Sequence, residues 1–199
     1  MATGVFAPGV WNAANVEEAF AIMQAGTGAS GAELEKLQTL ALKLGKDTKF
    51  SASEAAAAIT ELGKAGMPVE TILNGAADAV VNLAVAGEMD LASAANVLTA
   101  SMNQFGLSAD QAVNVVDTLA RGAAISTADI GDLASGLTYV GTTANQLGFS
   151  LEDTTAALSA LNDQGLRGTM AGTALNQMLP SLINPSAKAR KSMDELGLS

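Results

Sequence analysis

The sequence contains no cysteine and no histidine in its 199 residues. Those two absences remove disulfide frameworks, Cys and Cys/His zinc sites, cysteine nucleophiles and Ser-His-Asp triads. Aromatic residues reach only 4% of the chain, so the bulkier β-forming side chains are scarce. Cations are also few: ten Lys plus Arg stand against twenty Asp plus Glu, a formal charge of -10. The deficit is concentrated between residues 65 and 187, where Arg121 and Arg167 are the only basic residues. Such a surface repels phosphate backbones and anionic bilayers, so no tight nucleic-acid binding is expected. The carboxylates read as solvated helix faces and first-turn charges that favour the helix dipole. No leader with a basic start and an apolar centre is expected, because the first cation is Lys36. The most apolar stretch, Ala76 to Gly87, is broken by Asp78 and Asn82. It reads as short of the ~18 to 20 residues needed to cross a bilayer.

What the chain does contain is small residues, with forty alanines and 20 glycines. Alanine is the strongest helix former, and the apolar residues recur at helical spacing: Leu34, Leu37, Leu40 and Leu44, then Leu91, Ala94, Leu98, Met102 and Phe105, then Leu133, Leu137, Val140, Ala144 and Leu147. Helix starts are signalled by an apolar residue before a Ser or Asp cap, often with an acid or Gln three positions later. Phe50-Ser51 with Glu54, Leu107-Ser108 with Gln111, Ile125-Ser126 with Asp129, and Phe149-Ser150 with Asp153 fit, as do Met89-Asp90 and Ser30 with Glu33. Gly45, Gly66, Gly87, Gly106, Gly122, Gly148 and Gly165 follow apolar-periodic runs and read as stops. No segment alternates at period two. The prediction is an all-α fold, a bundle or articulated array of about nine or ten helices with no significant sheet.

Residues 1–29 read as a loosely docked N-terminal arm with one short helix near Asn15 to Ala25, and residues 30–183 as one helical core module. Residues 184–199 read as a short C-terminal helix carrying Lys188, Arg190 and Lys191 after Pro185. Asn103–Gln111 (NQFGLSADQ) echoes Asn145–Asp153 (NQLGFSLED), 42 residues on, which suggests one building unit used repeatedly. The final Leu196-Gly197-Leu198-Ser199 repeats the stop-and-start signal of Leu147 to Ser150. The expectation is a fragment cut before the next helix of a longer parent chain.

Three patterns resemble chemistry. Gly26-Thr27-Gly28-Ala29-Ser30-Gly31 matches the dinucleotide loop G-x-G-x-x-G, but a helix precedes it where a strand is required, so it reads as a connector. Asp129 with Asp132, and Asp110 with Asp117, pair carboxylates on helix faces without the dense oxygen spacing of a calcium loop. Gly131, Gly136 and Gly141, with Gly168 and Gly172, permit close backbone approach, either inside one domain or between copies. Met170 and Met178 with Leu175, Leu179 and Leu182 read as a buried apolar stripe. No cofactor, metal site or catalytic group is expected.

Three blocks carry a family resemblance: LGKDTKFSASEAAAAITELGKAGM (44–67), NQFGLSADQAVNVVDTLARGA (103–123) and GLRGTMAGTALNQML (165–179) followed by INPSAKARKSMDELGLS. In order, from about Glu33 to Ser199, they resemble the core of tail tape measure proteins of long-tailed phages and prophages. The resemblance implies a structural virion protein, made in the bacterial cytoplasm, that occupies the tail-tube lumen, helps set tail length and leaves ahead of the DNA at ejection. It implies no reaction. The implied partners are the tail tube protein, tail assembly chaperones and distal tail or baseplate hub proteins, with self-association also expected. The alternative is a membrane-active helical segment that forms a passage for DNA after release. The matched Gly165, Gly168, Gly172, Thr173, Ala174 and Leu175 are carried over as helix-start and packing positions only.

Overall fold

The computed structural model describes residues 8–195, and every regular element among them is helical. In order these are α1 (Pro8–Thr27), α2 (Ala32–Asp47), α3 (Ala52–Lys64), the single turn α4 (Val69–Thr71), α5 (Ala77–Ala86), α6 (Leu91–Phe105), α7 (Ala112–Ala124), α8 (Ile130–Gln146), α9 (Leu151–Asp163), α10 (Thr169–Ile183) and α11 (Ala187–Glu195). The predicted all-α class is the observed one. The terminal Leu196–Ser199 signal lies outside the described residues, as do residues 1–7.

Four joints share one construction. A helix ends in a left-handed residue, and the next, apolar residue donates its N–H to a carbonyl five positions back: Met67 to Leu62, Met89 to Ala84, Phe149 to Ala144 and Leu166 to Leu161, at 2.9–3.1 Å. That is the Schellman closure, which satisfies carbonyls the helix end would otherwise leave bare. The left-handed position is taken by Gly66 (φ 84°), Gly148 (φ 85°) and Gly165 (φ 90°). At the fourth joint Glu88 takes it at φ 50°, displacing the stop expected at Gly87. At three of the four joints the next residue already caps the following helix. Pro68 precedes α4, Asp90 Oδ1 accepts from the Ser93 N–H at 2.8 Å, and Ser150 Oγ accepts from the Asp153 N–H at 3.0 Å. Met67, Met89 and Phe149 therefore each close one helix and open the next.

Contacts divide the chain into two compact units: one of the described residues up to Met102 together with Ser108–Val116, the other of Asn103–Leu107 together with the described residues from Asp117 on. This differs from the single core expected over residues 30–183. In the first unit α3 packs against α1, α2 and α5. Its Ala55, Ala56 and Ala58 are buried, and their small side chains let neighbours approach closely around Met23, Leu37, Ile59, Leu62 and Leu83. In the second unit α8 packs against α9 and α10 around Leu133, Leu137, Val140, Leu158, Leu175 and Leu179.

Several local expectations are corrected. The short helix near Asn15 to Ala25 is the 20-residue α1, docked on α3, with Met23 fully buried and Gly26 against Thr60. Gly45 and Gly122 lie inside α2 and α7. A side chain at Gly45 would strike the backbone of Ala52, and one at Gly122 the methyl of Thr155, so these glycines serve packing. Ser126 does not cap α8: its hydroxyl donates to Gly122 O at 2.7 Å, and Asp129 is the cap, accepting from the Asp132 N–H at 2.6 Å. The Ser30 box is not formed either, since Gly31 occupies the cap position of α2 without a side chain.

The segment Val69–Ala86 also departs from expectation. It is an 18-residue window of mean hydropathy 1.3, long and apolar enough to cross a membrane, although the core helix of a soluble protein meets the same measure. Its helix is broken at Asn74 (φ -92°, ψ 19°) and Gly75 (φ 130°, ψ -12°), and 44% of the window is buried.

Candidate functional site

The family-motif positions meet at the junction of α9, α10 and α8. Gly165 takes the left-handed position that ends α9, and Gly168, at φ 52°, is the cap residue of α10 with no side chain to hold its first N–H groups. α8 supplies a charge in its place. Asp132 Oδ1 lies 3.3 Å from where a Cβ on Gly168 would stand, and Arg167 Nη1 is 3.6 Å from Asp132 Oδ2. Oδ2 is buried without a hydrogen-bond partner. A carboxylate beside a helix N-terminus interacts favourably with the exposed N–H groups and the dipole.

One turn further, Gly172 lies directly on the backbone of Gly136, whose carbonyl oxygen, Cα and carbonyl carbon a Cβ would strike. The missing Cβ of Gly136 would itself lie 2.9 and 3.0 Å from the Leu158 methyl groups of α9 and 3.3 Å from Gly168 O. α8 thus meets α10 with no side chain at the crossing. Leu175 is buried, Ala174 is half-buried and Thr173 is exposed. Of the six motif positions the structure brings Gly168 and Gly172 against α8, buries Leu175, half-buries Ala174, leaves Gly165 in the turn and turns Thr173 to solvent.

The other candidates separate. Gly136 packs as described, Gly141 faces the Gln104 side chain, and Gly131 is exposed near the Asp129 cap. The small-residue contact is therefore within one unit of one chain. Leu175 and Leu179 are buried, whereas Met170 and Met178 are 57% and 46% exposed, because they lie one position away on the helix circumference. The side chain of Leu182 lies outside the described residues. Asp129 and Asp132 form a helix cap, and Asp110 and Asp117 are exposed. The Gly26–Gly31 loop joins α1 to α2.

Sequence patterns did not reveal the polar seam between the end of α7 and α9. Ser159 Oγ donates to Gly122 O at 3.2 Å and the Thr127 N–H donates to Asp163 Oδ1 at 2.7 Å. Thr155 Oγ1 and Asn162 Oδ1 are buried there without partners. The periodicity of serine and threonine along α9 is the signal that could have located it. The carboxylates held below their usual range, Glu54, Asp90 and Asp153, all accept hydrogen bonds from serines at helix starts. They are structural caps. Among the described residues no group of three or more Asp or Glu is placed to hold a metal ion.

Asp90-Leu91-Ala92-Ser93 is repeated as Asp132-Leu133-Ala134-Ser135, 42 residues on, the same offset as from Asn103 to Asn145. At the crossing position the first copy has Ala94 and the second has Gly136. A methyl at 136 would strike the Leu158 side chain and come within 3.3 Å of Gly168 O.

The sequence profile of the phage-related minor tail protein family matches residues 38–199, which include the whole junction. The chain belongs to that family. Among its relatives, the tape measure protein of Pneumococcus phage Dp-1 is 39% identical over 177 residues, 89% of this chain. The "Probable tape measure protein" of Escherichia phage P2 is 33% identical over 173 residues, 87% of this chain. The chain covers 15% and 21% of the lengths of these two relatives. No solved structure matches it. This minor tail family member is thus homologous to a restricted part of tape measure proteins, and the expected resemblance is the observed one.

Proposed function

We propose that the chain is a structural module of a tail tape measure protein. In this reading the protein occupies the lumen of the growing tail, helps set its length and is released ahead of the DNA during ejection. The supporting observation is the match to tape measure proteins across nearly the whole chain, joined to a fold of packed short helices. It acts with the tail tube protein, assembly chaperones, the distal tail or baseplate hub and further copies of itself. It catalyses no reaction and uses no cofactor, and it resides in the virion after synthesis in the host cytoplasm.

Within such a tape the module is compact or articulated, and the measuring length lies mainly in sequence outside it. The longest described helix has 20 residues, so no long rod runs through it. A continuous helix gains ~1.5 Å per residue, and duplicating residues 30–183 as a rod would lengthen the tail by roughly 230 Å. Tails of phages with that in-frame duplication, measured by electron microscopy, are expected to lengthen by much less. A full rod-like increment overturns the module reading, and unchanged tails after deletion of the whole gene overturn the tape reading.

A second reading, membrane activity after release, draws on the apolar window Val69–Ala86. The Asn74–Gly75 break and the carboxylates Glu70 and Asp78 oppose spontaneous insertion. Leakage of dye from liposomes on addition of the purified chain distinguishes this reading from a purely luminal role.

A further inference from the structure

We infer that Asn74–Gly75 is a site of spontaneous covalent modification, at which the Asn74 side-chain amide is lost through a cyclic imide. The inference is independent of the tail function. Asn74 is the one asparagine in the chain followed by glycine. It is exposed, and it and Gly75 have non-helical torsions in the middle of an otherwise helical segment, Asn74 at φ -92°, ψ 19° and Gly75 at φ 130°.

In the reaction the Gly75 backbone nitrogen loses its proton to base and attacks the Asn74 side-chain carbon. A C–N bond forms, the bond from that carbon to Nδ2 breaks, and ammonia leaves. Water then opens the ring at either carbonyl, giving aspartate or isoaspartate. No redox partner is required. Attack by a neighbouring group avoids the entropy loss of a bimolecular step, so the barrier is set by how freely the backbone reaches the ring geometry. Within a helix that rotation is prevented by the hydrogen-bond ladder and the fixed torsions. Asn12, Asn15 and every asparagine from Asn82 to Asn176 lie inside helices, and Asn184 precedes a proline, which has no N–H to ionise.

At Asn74 the torsional restraint is relaxed, inside a wide turn of Ile72–Ala76 that the Ala77 N–H closes on Ile72 O. The Asn74 torsions fall in the bridge region, outside the helical well. Beyond its own stretch of chain, no heavy atom lies within 4 Å of where a Gly75 Cβ would stand, so the space beside the glycine is open. The product carboxylate would line a cleft of about 400 Å³ that Glu70 and Asp110 also line. Modification therefore adds a third negative charge to this cleft and, in the isoaspartate form, one methylene to the main chain at the break.

The test incubates the purified whole chain in ¹⁸O-water at neutral and mildly alkaline pH, folded and in urea, with residue-level mass spectrometry that separates aspartate from isoaspartate. The expected result is label at position 74 in both isomers, with a rate that rises with pH. It should be at least about tenfold faster than at Asn82 or Asn96, the ratio given by about 1.4 kcal/mol of barrier. The folded rate should fall within about tenfold of the urea rate. Asn74→Gln should retain the circular dichroism spectrum and lose the signal at 74. Conversion no faster than at Asn82, aspartate without isoaspartate, or a folded rate suppressed well beyond tenfold would each overturn the inference.

Discussion

Gly172→Ala tests whether the α8–α10 crossing depends on the absence of side chains. The added methyl would meet the Gly136 carbonyl oxygen and lie 2.8 Å from its Cα and 2.9 Å from its carbonyl carbon. Ordinary carbon contacts are ~3.5 to 4.0 Å, so the two helices must part by about 1 Å. The obstacle is backbone, which cannot rotate aside as a side chain would. Overpacking of this kind costs about 1 to 3 kcal/mol, and a gap of that width forfeits roughly a quarter to a half of the dispersion at neighbouring contacts. Buried Leu175 and Leu179 share the same face of α10 and stand to lose contact with it. Against this, alanine is the better helix former by about 1 kcal/mol. The expected balance is a net loss of about 2 kcal/mol. The natural control is Gly131→Ala, on the exposed face of α8, where only Asp129 Oδ1 comes near at 3.1 Å. There the propensity gain stands nearly alone and stability should hold or rise by up to about 1 kcal/mol. Hydrogen exchange in α8 and α10, followed by mass spectrometry across a urea series, reads the opening free energy of this unit directly. If Gly172→Ala proves as protected as the parent chain, the crossing tolerates a side chain and the reasoning fails.

Other perturbations probe the caps and the core. Ser51→Ala removes the hydroxyl that accepts from the Glu54 N–H at 3.2 Å and should cost about 1 kcal/mol, seen as a lowered urea midpoint. Glu54, Asp90 and Asp153 have carboxyls held below their usual range by hydrogen bonds from Ser51, Ser93 and Ser150. Their contribution is complete above the unfolded values of 4.5 for Glu54 and 3.8 for the two aspartates, and is lost as pH falls through the lower folded values. Thermal melts should accordingly weaken on acidification below about pH 4, and less steeply in the Ser51→Ala, Ser150→Ala double variant. Asp132→Asn removes the charge beside the uncapped start of α10 and should loosen its first turn by about 0.3 to 1 kcal/mol, read as faster amide exchange there and not in α9. Leu158→Ala opens a cavity where α9 meets α8 and should cost about 2 to 5 kcal/mol in the same exchange experiment, with α1 to α3 unchanged.

The helix starts were legible because capping is local: Ser51, Ser108 and Ser150 each hold the residue three positions on, and those spacings stand in the sequence. Ser126 misled because a hydroxyl after a helix can equally turn back to a carbonyl four residues earlier, as it does at Gly122. Gly45 and Gly122 carry the same letter as the stops, yet what fixes them is a neighbour distant in sequence or beyond the next turn, Thr155 in the case of Gly122. The break in Val69–Ala86 has a local signal, the Asn-Gly dipeptide just before the apolar run that begins at Ala76. The motif at Gly168 and Gly172 was visible as small-residue spacing, but its partner, Gly136, was fixed only by the tertiary fold.

The joints at Met67, Met89 and Phe149 carry a mechanical consequence. Each passes from one helix's last hydrogen bond to the next helix's cap without a spare residue, so these loops hold no slack. Pulled from its ends, such a stretch of chain cannot lengthen by straightening connectors. It must unwind helix, exchanging ~1.5 Å per residue for ~3.4 Å and breaking hydrogen bonds as it goes. Resistance to tension is thereby distributed along the helices, and the joints should yield only when their adjoining turns unravel.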